Sequence, residues 1–285
     1  TTGDAMVLAA KGFSSVLISR PVVDPEALSE LPNLAQSCEL TCVVDHFRHA
    51  ELLSNALRRR QANARILINV EAGDQLTGVR PGPDATRLAS AASQLPGLQV
   101  VGVFIDDTTS EPQDSSRAAL SMIPSFRDLQ TVAAHCRRMI RSTGVECREL
   151  ITGRQQIDAI NECADLTVCL LSPLECDVGS LGGHDNSRLL QSTSSIDDEP
   201  MTVVSRVLSR PTLETCVIDF GCGTKNFGMP ILIQPIGASC VRVTDDVSAL
   251  TLSGVSLDLK IGDVVELRCT WRSCLHLPSV VRTSP

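Results

Sequence analysis

The sequence predicts a parallel β/α unit followed by a small antiparallel β domain. Three observations carry this fold class. Short β-type runs alternate with helical patterns through residues 1–176. After Pro200, short β-type runs follow one another with no helical pattern between them. The best-defined junction, Val70–Gly82, leads from the apolar run Ile66–Val70 through a glycine-rich turn into a helical stretch. Parallel strands need long, usually helical crossovers and antiparallel strands do not, so the change of pattern marks a change of domain.

The elements follow in chain order. Gly3–Gly12 reads as a helix with Gly12 as its C-cap, and Ser15–Ser19 as the first strand. Asp24 caps the helix Pro25–Ala35, with Pro25 at the first helical position, where a missing N–H loses no hydrogen bond. Glu39–Asp45 is the second strand; the helix Phe47–Gln61 after it carries the charge run Arg58-Arg59-Arg60. Arg65–Glu71 is the third strand, and Asp84–Leu95 its crossover helix. Leu98–Ile105, the long helix Ser125–Ser142 and Glu146–Thr152 come next, then a short helix Gln155–Asn161 and the strand Leu166–Leu171. Six parallel strands are compatible with an open doubly wound sheet or with part of a closed barrel, which needs eight. Asp177–Pro200 is rich in Ser, Gly and Asp and reads as a linker or surface loop. Thr202–Ser209, Thr215–Phe220, Ile231–Gln234, Ser239–Thr244, Ala249–Ser253 and Val264–Cys269 are the strands of the second domain. The expected division is therefore 1–176, 177–200 and 201–285.

A chain of 285 residues suffices for one large domain and a smaller one. A net charge of −8 argues against nucleic acid or an anionic membrane as the main partner. No apolar run approaches the ~20 residues of a membrane span, and no signal-peptide pattern opens the chain. The opening Thr1-Thr2-Gly3, without Met, leads us to expect a fragment or a processed product. The twelve cysteines form no C-x-x-C, and most sit in or beside apolar runs, as Cys42 does in Leu40–Val44. They read as buried free thiols of a reducing compartment, which predicts a cytoplasmic protein. The sequence has no Tyr, and its lysines are Lys11, Lys225 and Lys260.

A β/α barrel places its chemistry at the carboxyl ends of its strands. Asp45, Glu71, Asp106 and Asp107 fall there. Clustered carboxylates could bind a hard divalent cation or run acid–base chemistry; they could equally serve as helix caps and turn acceptors. His46 and His49 open a helix and read as capping or surface residues, while His135 and His184 stand alone. There is no G-x-S-x-G elbow and no Walker A loop.

Val70–Gly82 resembles the V-D-x-G-x-x-R-T-G-x-x-P-G signature of the D-threonine aldolase and D-serine dehydratase family, alanine racemase-type enzymes that use pyridoxal phosphate. Glu71, Gly73, Thr77, Gly78, Pro81 and Gly82 fit, and Leu76 stands where the family has arginine. Asp219–Pro230 resembles the family's D-x-G-x-K…G-x-P stretch, Ile261–Arg268 its V-G-D-x-V-x-L strand, and Thr2–Val23 its third βα unit. The resemblance implies an incomplete β/α barrel lacking its first two strands, followed by a β domain. It implies a homodimer in which one subunit's β domain completes the other's site. It also implies pyridoxal phosphate and a divalent metal as cofactors, and cleavage or dehydration of D-β-hydroxy amino acids. The Schiff-base lysine would lie on the first strand, outside these residues.

Carried over position by position, the resemblance shows losses. The family's S-G-G-G-T phosphate loop corresponds to Thr152-Gly153-Arg154-Gln155-Gln156, so Thr152, Gly153 and Arg154, with Thr77, are the positional candidates for cofactor binding. Asp106 and Thr109 replace a Tyr and a His that frame the cofactor ring and substrate. Trp271 and Ser273 occupy the metal-ligand positions; Cys274 and His276, close by in reversed order, are the remaining metal candidates. Val247 stands where a His would follow the acidic pair Asp245-Asp246. No residue emerges as a candidate for catalysis. Three expectations result: a degenerate relative serving as a scaffold or binding a small-molecule ligand, an active pyridoxal phosphate lyase whose lysine lies in a segment not given, or a carboxylate-based metal enzyme.

Overall fold

In a computed structural model of the protein the chain divides into two compact units, Thr1–Leu171 and Ser172–Pro285. The structure describes residues 2–71, 73, 76–105, 126–152, 200–221, 231–244, 247–270 and 281–282. The expected strand at 166–171, the helix at 155–161 and the linker at 177–200 lie outside these, apart from Pro200.

The first unit alternates helix and strand: α1 (Thr2–Ala10), β1 (Ser15–Ile18), α2 (Pro25–Ser37), β2 (Glu39–Val44), α3 (Phe47–Arg58), β3 (Ala64–Asn69), α4 (Pro83–Ala92), β4 (Leu98–Ile105), α5 (Phe126–Ser142) and β5 (Glu149–Thr152). The strands form a parallel five-stranded sheet in the order β1-β2-β3-β4-β5. A doubly wound sheet reverses its strand order at a switch point. Among the described strands this order does not reverse, which favours part of a β/α barrel over the open alternative.

Both sheet faces are apolar, as buried parallel strands require. Val16, Leu40, Cys42, Val44, Ile66 and Ile68 pack with Leu31, Leu53, Leu57 and Ala89 of the helices. Val43, Leu67, Val101, Phe104 and Ile151 form a separate cluster, joined by the half-buried Leu17. Local signals fix the ends. Asp24 accepts hydrogen bonds from the N–H groups of Glu26 and Ala27, both at 3.0 Å, and caps α2 as its sequence predicts. Gly12, with φ of +90°, turns the chain out of α1.

The second unit contains β6 (Pro200–Thr212), β7 (Thr215–Ile218), β8 (Ile231–Gln234), β9 (Ala238–Val243), β10 (Ser248–Leu252), β11 (Val264–Thr270) and β12 (Val281–Arg282). All pairings are antiparallel, in the order β8-β11-β6-β7-β10-β9, with β12 on the free side of β6. Val207, Leu208, Val217, Phe220, Leu250, Val265 and Leu267 are among its buried side chains. Two features depart from the sequence reading. β6 is longer at both ends, and the two-residue strand β12 was not anticipated.

Candidate site at the carboxyl ends of β2 and β3

β3 does not run straight into α4. Beyond Asn69 the chain folds back on itself: Val70 and Val79 form a parallel bridge, Glu71 N–H donates to Val79 O at 3.0 Å, and Val79 N–H to Asn69 O at 2.8 Å. Val70 N–H donates across to Phe104 O at 2.8 Å, tying the turn to β4. Gly78 makes this closure possible. Its φ is +102°, and a Cβ there would lie 2.5 Å from Glu71 N. Gly82, with φ of +85°, then starts α4, where Pro83 occupies the first turn.

Asp45 directly follows β2 and reaches over to this turn. Its Oδ2 accepts the Gly78 N–H at 3.0 Å. Its Oδ1 lies 3.0 Å from His49 Nδ1, both side chains being wholly buried. The same Nδ1 lies 3.4 Å from Asp45 N. One imidazole nitrogen cannot donate to the carboxylate and also accept from an amide. The hydrogen bond that Nδ1 makes is the one it accepts from the Asp45 N–H, and Oδ1 is approached by the ring without receiving a hydrogen bond from it. His49 is thus neither a cap nor a surface residue, which corrects the sequence reading. His46 is the cap: its Nδ1 accepts the Arg48 N–H at 3.0 Å at the start of α3. Burial, and then the neighbouring His49, hold the His46 imidazole below its ordinary pKa of 6.5.

Asn69 is 2% exposed. Its Nδ2 is 3.4 Å from Thr77 Oγ1, and its Oδ1 meets no hydrogen-bond partner among the described residues. Leu76, also 2% exposed, is a buried apolar residue of the turn. Glu71 directs its carboxylate to its own turn, accepting the Gly73 N–H at 2.7 Å. Asp45 and Glu71 therefore both act as acceptors for backbone amides. Among the described residues there is no group of three His, Cys, Asp or Glu side chains placed to hold a metal.

The other sequence candidates are placed as follows. Thr77 lies in the turn beside Asn69, and Thr152 is the last residue of β5. Gly153, Arg154, Asp106, Asp107, Thr109, Cys274 and His276 lie outside the described residues. Lys11 is exposed in the turn before β1, at the amino end of the sheet. Cys38, Cys42, Cys136, Cys147, Cys216 and Cys240 are free, and burial raises their thiols: Cys42 and Cys216 are pushed up to about 12, Cys147 to about 11. Sequence reasoning missed His49 and Asn69. The signals were a polar residue inside the apolar run Ile66–Val70 and the four-residue spacing from Asp45 to His49.

The family described as "Alanine racemase, N-terminal domain" matches residues 2–146. A D-threonine aldolase from Arthrobacter sp is 22% identical over 249 residues, covering 85% of this chain and 63% of that protein. The chain thus spans less than two thirds of that curated relative's length. Among solved structures, D-threonine aldolase from Filomicrobium marinum matches with a TM-score of 0.51 at 24% identity, covering 94% of this chain and 71% of that one. D-threo-3-hydroxyaspartate dehydratase from Delftia sp. HT23 gives 0.40 at 15% identity, covering 94% and 73%.

Proposed function

We propose, on the premise that this chain belongs to the alanine racemase N-terminal domain family, that it is a non-catalytic relative of D-threonine aldolase-type lyases, serving as a scaffold or binding a small-molecule ligand. One observation carries the proposal: the base of the turn after β3 is closed by backbone bonds between Glu71, Val79 and Asn69, yet Leu76, at the position where the resembled signature has arginine, is a buried apolar side chain.

Pyridoxal phosphate needs a lysine for its imine and charged or polar donors around its oxygens. Among the described residues no lysine stands at a carboxyl end of the parallel sheet. The Leu76 side chain has no hydrogen-bonding group, and nearby Arg80 is turned to solvent, 3.5 Å from Asp84. The residues present at this turn do not fit the cofactor. Thr77 and Thr152 remain positional candidates for a small ligand, together with Gly153 and Arg154.

A titration of the purified protein with pyridoxal phosphate, followed by borohydride trapping and peptide mapping, tests this reading. Scattered or absent labelling is expected. Stoichiometric labelling of one of Lys11, Lys225 or Lys260 would overturn it.

A second reading rests on coverage, since the chain spans only 63% of the curated relative's length. In it, a segment beyond these residues supplies the lysine, and the protein cleaves or dehydrates D-β-hydroxy amino acids with pyridoxal phosphate and a divalent metal. Cys274 and His276 would be the metal candidates to mutate. The coding sequence upstream of Thr1 separates the two readings: a strand carrying lysine there would favour the second. In either case we propose a homodimer, by family likeness, and a cytoplasmic location, from the free thiols. Among the described residues no helix is long and apolar enough to cross a membrane.

A further inference from the structure

We propose that the outer face of α1 is a self-association surface, on which a second copy of this chain packs its own α1 antiparallel. This goes beyond the reading above, because it rests on a different part of the molecule and holds with or without a bound ligand.

The inference starts from the sequence of α1. Met6, Val7, Leu8, Ala9 and Ala10 follow one another, and a helix with one face toward a sheet cannot bury them all. Ala5 enters the core, and Leu8 and Ala9 pack partly against it. Gly3, Met6, Val7 and Ala10 recur at the three- and four-residue spacing of a single helix face. All four are exposed, Val7 to 53%. Among the described residues of the first unit four large apolar side chains are exposed, and three of them are Met6, Val7 and Phe13, the last just past α1. Single exposed apolar residues need no explanation, but a contiguous apolar face rimmed by polar residues marks an interaction surface.

Charge selects the occupant. Asp4 and Lys11 are both exposed and stand seven residues apart, about 20° from each other around the helix, on one flank of the apolar face. The Lys11 N–H donates to Val7 O at 3.0 Å, so Lys11 still follows the helical turn. A twofold axis beside Val7 sets an antiparallel copy so that Asp4 of each chain meets Lys11 of the other. The face is thus self-complementary, as the shared patch of a twofold dimer must be. A parallel copy would set Asp4 on Asp4 and Lys11 on Lys11. The face is about 14 Å long, too small for the ~800 Å² per partner of a standard interface, so the association is weak and depends on concentration.

Two measurements test this. The first is carbodiimide coupling of a mixture of nitrogen-15-labelled and unlabelled protein, read by peptide mass spectrometry. Within one helix Asp4 and Lys11 are about 10 Å apart along the axis, too far for a zero-length bond, so a direct link between them joins two copies. A Lys11–Asp4 link of mixed isotope content is expected. The second is sedimentation equilibrium of the unmodified protein, Asp4→Lys, Lys11→Asp and the double exchange. Each single change sets like charges together twice and weakens the dimer by about 10-fold or more; the double exchange restores it. A chain that stays monomeric to about 1 mM overturns the proposal and leaves the face to a different partner. A dimer equally strong in all four proteins also overturns it, because the copies then meet elsewhere. Should a variant fail to fold, the cross-link in the unmodified protein decides, and its absence overturns the proposal.

Discussion

The two ends of strand β3 handle charge in opposite ways. Arg65 and Asn69 flank Leu67 on the same sheet face, because side chains alternate along a strand. At the amino end, Arg65 spans the ends of neighbouring strands and pairs with Glu39 and Glu149; its side chain is 23% exposed and theirs 54% and 27%. At the carboxyl end, Asp45 and His49 pair at 0% exposure. Water screens the first set and shares its hydrogen bonds, but does neither for the second. An ion pair seen in coordinates says little about energy until its burial is known. The buried pair is also the one that grips the turn carrying the family signature.

This contrast breaks most directly at Asp45. Asp45→Ala leaves a buried imidazole and the Gly78 N–H without the carboxylate, and should cost about 3–5 kcal/mol. Urea unfolding would read this as a lower midpoint with an unchanged slope. Combining it with His49→Leu should cost less than the sum of the two single changes, because they remove one shared interaction. Strict additivity would mean that the two residues are not coupled.

Gly78→Ala attacks the same assembly from the backbone side. The new Cβ would stand 2.5 Å from Glu71 N, at a φ of +102°. About 2–3 kcal/mol of destabilisation is expected, from strain that the turn can relieve only by opening. Gly12→Ala is the control, since nothing lies within 4 Å of its would-be Cβ and only the φ penalty applies. Equal losses at the two glycines would show that close approach to Glu71 contributes nothing.

At the amino end, Arg65→Met keeps most of the side chain's apolar stem and removes only the charge. With partners this exposed, the loss should stay near or below about 1 kcal/mol and shrink further in salt. A loss as large as that of Asp45→Ala would erase the distinction between the two ends.

What the sequence revealed and what it hid divide along the same line. The strands β1 to β4 were legible because each is a largely apolar run, most of it buried, bounded by residues with local meaning such as Asp24-Pro25 and Gly12. Boundaries slipped where local pattern gave way to contacts: β5 begins at Glu149, not Glu146, because pairing with β4 starts at Gly102. β12 has two residues and no pattern of its own. The Val70–Gly82 turn was visible through its glycines, but the partner that holds it was not, since Asp45 lies 33 residues from Gly78. His49 was misjudged for a related reason. Its position on α3 looks like that of His46, and only tertiary packing shows that one ring caps the helix while the other faces a carboxylate.

That difference between two histidines three residues apart supplies the smallest test. His46 caps α3 only while its Nδ1 is unprotonated and can accept the Arg48 N–H. Its folded pKa lies below the ordinary 6.5, chiefly through burial. The cap's contribution is therefore fully present above the unfolded value. It declines as pH falls from 6.5 through the lower folded value, because the unfolded chain takes up the proton first. His46→Asp replaces the ring with an acceptor that stays ionised across this window, so unfolding free energy measured against pH should lose that part of its slope. His46→Ala should lose the slope as well, together with about 1 kcal/mol at all pH values above the window. If the slope survives in both variants, a different group generates it.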